Sequence, residues 1–203
     1  MNNQEVQEEV VHLLPARKGH FLLESGHHGD LWLDLELLCL RPEPVWRLAA
    51  EIAARLAAHQ VEAVCGPLVE GAFVALMVAA ELGVPFTYAE RFADRALIDR
   101  EGLYPVQYRL PHALGDVVRG KRVAIVNDVI NAGSAIRGTF ADLEACGAEP
   151  VAIAALAVLG EFAAKFAADY KIALEAMAFL PNEIWTPEKC PLCARGIPLE
   201  GSA

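Results

Sequence analysis

Apolar positions along the chain recur with two periods, and the switching between them outlines the fold. Over residues 3–14, Val6, Val10 and Leu13 or Leu14 fall on one side of a helix, as a turn of 3.6 residues requires. Gly19 to Gly26 reads as a strand ending in a turn, His27-His-Gly-Asp30 as a loop, and Leu31 to Leu38 as a second, alternating strand. Pro42 to His59 is helical, with Pro44 in its first turn and Ile52 and Leu56 in an alanine-rich body. Val61 to Cys65 is too short and too apolar for anything but a buried strand. Gly66-Pro-Leu-Val-Glu-Gly71 is its turn, and Ala72 to Leu82 the helix that follows. Pro85 to Ala89 makes another strand, closed by Glu90-Arg91. Residues 92–118 have mixed charge and no strong period, the mark of a lid or a connection.

The second half repeats the design. Arg122 to Val126 is a buried strand, with Asn127 and Asp128 where it emerges. Asn131, Ala132, Gly133 and Ser134 form a small-residue turn, and Ile136, Phe140 and Leu143 begin a helix. Pro150 to Leu159 is a strongly apolar strand, Phe162 to Ala168 a short helix and Ile172 to Leu180 a last strand. The βαβ units at 61–89 and 122–158 predict an α/β fold: a mostly parallel sheet flanked by helices on both faces. Residues 1–40 then form a small N-terminal hood over the sheet's carboxyl edge, 41–181 the core, and 182–203 a tail. At 203 residues the chain suits one domain with a sizeable core.

Composition narrows the function. No apolar run approaches the ~20 residues of a membrane span, and the acidic N-terminus does not read as a signal peptide, so a cytoplasmic protein is expected. A net charge of -10 argues against affinity for nucleic acid or an anionic membrane. A polyanion would need a locally positive site or a metal ion. Five cysteines, at 39, 65, 146, 190 and 193, do not suit a disulfide framework. Cys190-Pro-Leu-Cys193 reads as a structural turn, because zinc takes about four ligands and the chain has no second such pair. A metal site shared between subunits and a redox pair are the alternatives. His27 and His28 have no carboxylate at a clear ligand spacing, so no metal ligand is assigned.

The chemistry concentrates at Asn127 to Ala135. A strand, an acid, a small-residue turn and a helix place a carboxylate beside the N–H groups that open the helix, where phosphate can dock. An ordinary capped turn is the plain alternative. Ala124-Ile-Val-Asn-Asp-Val-Ile-Asn-Ala-Gly-Ser134 also resembles the phosphoribosyl-diphosphate signature of type I phosphoribosyltransferases, with Asn127 in place of the usual first acid and Asn131 in place of Thr. Gly19-His-Phe-Leu-Leu-Glu-Ser-Gly-His-His28 resembles the hood of orotate phosphoribosyltransferases, and the tail from Trp185 to Leu199 resembles one bacterial branch of them.

The resemblance implies transfer of a phosphoribosyl group from phosphoribosyl diphosphate to a nucleobase, orotate first, with Mg²⁺ and a homodimer. It implies ribose contacts at Asp128 and Asn127, and a 5′-phosphate cradle at Asn131, Ala132, Gly133, Ser134 and Ala135. It puts a pyrophosphate loop at Gly66, Pro67, Glu70 and Gly71, with Arg91 neutralising the leaving group. Leu31 and Trp32 stand where the family stacks its base. Two departures bear on turnover and base choice: no Lys occurs between residues 19 and 120, and Leu159-Gly160 stands where orotate-specific enzymes end a strand in Asp-Arg. A non-catalytic binder on the same fold and a transferase for another base are the alternative readings.

Overall fold

The computed structural model describes residues 3–93, 103 and 106–200. A six-stranded sheet runs in the order β5-β4-β3-β6-β7-β8. Its strands are β3 (Ala63–Pro67), β4 (Phe86–Ala93), β5 (Val106–Arg109), β6 (Arg122–Ile130), β7 (Glu149–Leu159) and β8 (Ala173–Leu180). All neighbours are parallel except the edge strand β5, which is antiparallel to β4. Every residue of β3 is buried, as is every residue of β6 after Arg122. A strand covered on both faces needs apolar side chains at each position, which explains the unbroken apolar runs.

The two faces are easily told apart. Val64, Ala124, Val126, Ala152 and Ala154 pack into one core with α1 (Asn3–Leu13), α2 (Pro42–Leu56) and α3 (Glu70–Leu82). Their sequence neighbours Ala63, Cys65, Val123, Ile125, Ile153 and Ala155 pack into a second core. There they meet α4 (His112–Val118), α5 (Ser134–Ala145) and α6 (Phe162–Tyr170). The period of two along each strand thus divides the molecule into three layers.

A separate three-stranded antiparallel sheet, β1-β2-β9, forms the hood: β1 (Ala16–Leu22), β2 (His28–Leu33) and β9 (Ile184–Trp185). The tail therefore contributes a strand to the N-terminal unit and ends in the short helix α7 (Pro191–Ala194).

Several boundaries differ from expectation: strand β2 begins at His28, inside the expected loop 27–30, and β1 begins at Ala16. Helix α3 starts at Glu70, two residues before Ala72, so only Leu68 and Val69, joined by a cis peptide bond, separate it from β3. Strand β2 ends at Leu33, and Leu35–Leu40 winds into a 3₁₀ helix instead of extending the strand. The second half of 92–118 holds β5 and α4, whose shortness hides any period. Strand β6 runs on through Asn127 and Asp128 to Ile130. Their polar side chains are satisfied within the strand: Asn127 Nδ2 donates to the Val129 carbonyl at 2.9 Å, and Asp128 Oδ1 accepts the Val129 N–H at 2.7 Å.

Candidate active site

From β3 the chain moves outward to β4, whereas β6 lies on the opposite side of β3. Helices α3 and α5, which follow these two central strands, pack on opposite faces. The carboxyl ends of β3 and β6 therefore diverge into a crevice, the place where open α/β sheets bind ligands. A cleft of about 420 Å³ opens there, roofed by hood residues.

Asn127, Asp128, Asn131, Ala132, Gly133, Ser134 and Ala135 all line this cleft, as do Pro67, Glu70, Gly71, Arg91, Leu31 and Trp32. Gly66 is the exception among the expected site residues. A Cβ there would crowd Ala75 and the backbone of Ala72, so its role is close packing of β3 against α3. Gly71 brings the start of α3 against β6, since a Cβ would overlap Asn127 Oδ1. Gly133 has φ +83°, and a Cβ there would overlap the Phe162 ring. Only glycine suits both demands. Beyond it the first-turn N–H groups of α5 lack intrahelical acceptors and meet the positive end of the helix dipole, a setting for phosphate.

The electrostatics are predominantly acidic. Burial first, with help from the Glu70 charge, holds the Asp128 carboxyl up at about 7 instead of 3.8, against the lowering effect of the Val129 N–H. Glu24 and Glu36 also line the cleft, and among the described lining residues Arg91 is the one Arg or Lys. Its guanidinium lies 3.1 Å from Glu24 Oε2. The Tyr108 hydroxyl donates to Glu24 Oε1 at 3.0 Å. Burial, then the Glu24 carboxylate, hold that phenol well above its ordinary range, so it stays protonated. Arg91 from β4 and Tyr108 from β5 thus converge on a hood carboxylate. Sequence reasoning missed Glu24 and Tyr108, because neither belongs to a periodic pattern or a phosphate-binding turn.

Trp32 both lines the cleft and packs on Phe21, with ring centroids 5.6 Å apart. Leu159 lines the cleft too, while Gly160 turns the chain at φ +66° with the Asn182 carbonyl against it. Arg95 and Arg100, cations of the irregular stretch 92–118 that the resemblance makes candidates for a catalytic loop, lie outside the described residues.

The hood and tail hold a second grouping. His20 and His28 come together with Cys190 and Cys193, the ligand atoms all within 4.8 Å of one another. The C-x-x-C, read from the sequence as a structural turn because the chain holds no second such pair, meets two histidines of the same chain 165–173 residues earlier, and no spacing rule links them. His27, the neighbour singled out with His28, is not in the cluster and lies within hydrogen-bonding distance of Ser25.

Fold and cleft together define an α/β protein with a candidate ligand site at the sheet's switch point. Residues 43–175 match the phosphoribosyl transferase domain, and the chain belongs to that family. It is similar to the orotate phosphoribosyltransferase of Caldanaerobacter subterraneus subsp. tengcongensis, 28% identical over 98% of this chain and 96% of the relative. That of Nitratiruptor sp. is 32% identical over 88% of each chain. Among solved structures, Aeropyrum pernix orotate phosphoribosyltransferase superposes with a TM-score of 0.59 at 21% identity, covering 88% of this chain and 94% of the other. Trypanosoma brucei adenine phosphoribosyltransferase superposes with 0.66 at 18% identity, covering 98% and 86%. The protein is a phosphoribosyltransferase, and backbone similarity does not discriminate the base it uses.

Proposed function

We propose that this enzyme transfers the phosphoribosyl group of phosphoribosyl diphosphate to orotate in pyrimidine nucleotide synthesis. The observation that carries the reading is that Asp128, Gly133 and Ser134 at the start of α5, and Trp32 of the hood all line one cleft. The similarity to orotate phosphoribosyltransferases over nearly the whole chain supports orotate among the bases. In this reading the N–H groups from Ala132 to Ala135 hold the 5′-phosphate, and Asp128 binds ribose hydroxyls. Residues Pro67 to Gly71 receive the pyrophosphate, and Arg91 leaves Glu24 to neutralise it. Holding sugar and base in line supplies most of the acceleration.

The donor set suits Mg²⁺, a hard cation that takes oxygen ligands. A polyanion entering a cleft lined by Glu24, Glu36, Glu70 and Asp128 needs positive charge that Arg91 alone does not supply. Glu70 and Asp128 are the residues that would meet the ion. When bound it offsets phosphate charge. Beside such an ion Asp128 would stay ionised despite its burial.

A second reading, transfer to another base, draws on Leu159 and Gly160 at the end of β7, which offer no cation to grip orotate's carboxylate. The test is pyrophosphate release with phosphoribosyl diphosphate, Mg²⁺ and a panel of bases. Turnover with orotate alone supports the proposal. Turnover with a different base favours the second reading, and none with any base overturns both.

A further inference from the structure

We infer that His20, His28, Cys190 and Cys193 form a closed, structural zinc site that ties the C-terminal tail to the hood. His20 lies in β1, His28 opens β2, and Cys190 and Cys193 sit at the cap and within α7. His20, His28 and Cys190 are buried, and Cys193 faces outward.

Geometry is the first support. His20 Nε2 lies 3.1 Å from His28 Nδ1, 3.4 Å from Cys190 Sγ and 3.8 Å from Cys193 Sγ. His28 Nδ1 lies 3.3 Å from Cys193 Sγ. A tetrahedral zinc ion with ordinary Zn–N and Zn–S bonds sets its donors about 3.3–3.8 Å apart. Four of the six donor–donor separations, 3.1–3.8 Å, lie close to those edges, and all six are within 4.8 Å, so the donors converge on one point with small adjustments left to make.

Protonation is the second. His20 Nδ1 lies 2.8 Å from the Ile197 carbonyl oxygen, which only accepts. Nδ1 therefore carries the proton, and in the neutral ring Nε2 presents a lone pair to the cluster. An outer hydrogen bond that fixes the tautomer is the usual support of a metal-bound histidine. Two thiols and two imidazoles form the borderline-soft donor set that zinc favours. On binding, the two thiols lose their protons to solvent, and two thiolates balance the Zn²⁺ charge in a largely buried setting.

Position is the third. The tail is held to the hood on either side of the cluster: Trp185 pairs with His28, and the Glu200 N–H donates to the His20 carbonyl at 2.7 Å. Four protein donors leave no open coordination position, which marks a structural role rather than a catalytic one. The ion would fasten β1 and β2, whose connecting turn holds Glu24 and Ser25 and whose second strand carries Trp32, over the cleft.

The full chain, purified under reducing conditions without chelator, is expected to contain one zinc per chain by elemental analysis. Cobalt added to the metal-stripped protein should give the strong visible absorption of tetrahedral thiolate coordination. Because Cys193 is exposed, Cys193→Ser is expected to fold, and it should weaken cobalt binding by more than the ~100-fold upper range seen for loss of an outer-shell partner. His28→Ala should do the same. Protein that stays metal-free with zinc supplied, metal content unchanged in both variants, or a Cys190–Cys193 disulfide persisting under reductant would overturn the inference. None of these readouts depends on which base the enzyme uses.

Discussion

Asp128 shows how one residue couples chemistry to stability. An acid whose folded pKa lies above its unfolded value binds a proton more tightly when folded, so stability falls as pH rises between the two values. From 3.8 to about 7, that amounts to roughly 4 kcal/mol once pH exceeds the upper value. Asp128→Asn should therefore raise the unfolding free energy of the ligand-free protein at pH 8, and by much less at pH 5, while ribose 5-phosphate no longer binds. Chemical denaturation at the two pH values, with calorimetric titration of the ligand, checks both halves. Asn127 makes the opposite case. Its amide donates to the Val129 carbonyl beside Asp128, which a carboxylate cannot do. Asn127→Asp should cost about 1–3 kcal/mol at pH 8, and the loss should shrink at pH 5 as the new acid gains a proton. An unchanged denaturation midpoint at both pH values would mean that the amide's bond has no structural value.

Elements supply the second scale, because the cleft is assembled from pieces distant in sequence. Helix α5 brings the turn proposed to hold phosphate, α3 the loop proposed to receive pyrophosphate, and β4 and β5 meet the hood at Glu24. The Arg91–Glu24 pair is partly exposed, so it is worth at most about 1 kcal/mol to the fold. Its larger effect concerns the cation available to the substrate. Glu24→Gln should leave the melting temperature nearly unchanged and lower the KM for phosphoribosyl diphosphate by up to about fivefold, the equivalent of ~1 kcal/mol. A rise in that KM would show that Glu24 helps to bind the substrate rather than to occupy Arg91. Periodicity revealed the long elements from α1 to β8, since each buries a continuous face. It left β5 and α4 unseen, because four and seven residues are too few to establish a period against mixed charge. It also stopped β6 at Val126: polar residues look like a strand's end when their partners are not yet known.

At the scale of the whole molecule, Val69, Phe73 and Leu76 stand exposed along one side of α3, with Trp46 of α2 also exposed. Apolar side chains in such a row favour a covered face, and a homodimer through it is the arrangement we propose. Phe73→Asp should shift the protein to a monomer in sedimentation velocity; a wild type already monomeric at micromolar concentration would end that proposal. Removing residues 182–203 would strip β9 from β2 and take Cys190 and Cys193 from the two histidines. Faster hydrogen exchange across β1 and β2, with the core sheet still protected, is the expected result.

By itself the sequence determined the α/β layering, the parallel core and the small-residue turn beside Asp128. Each of these is written in a short window, as a period or as a strand–turn–helix order. Tertiary structure alone decided that Glu24 pairs with Arg91 and Tyr108, that Gly66 serves packing, and that the tail cysteines meet His20 and His28. The contacts of Glu24 and of the tail cysteines join residues tens to more than a hundred positions apart, and their register is set by packed cores and strand pairing, which no local pattern encodes.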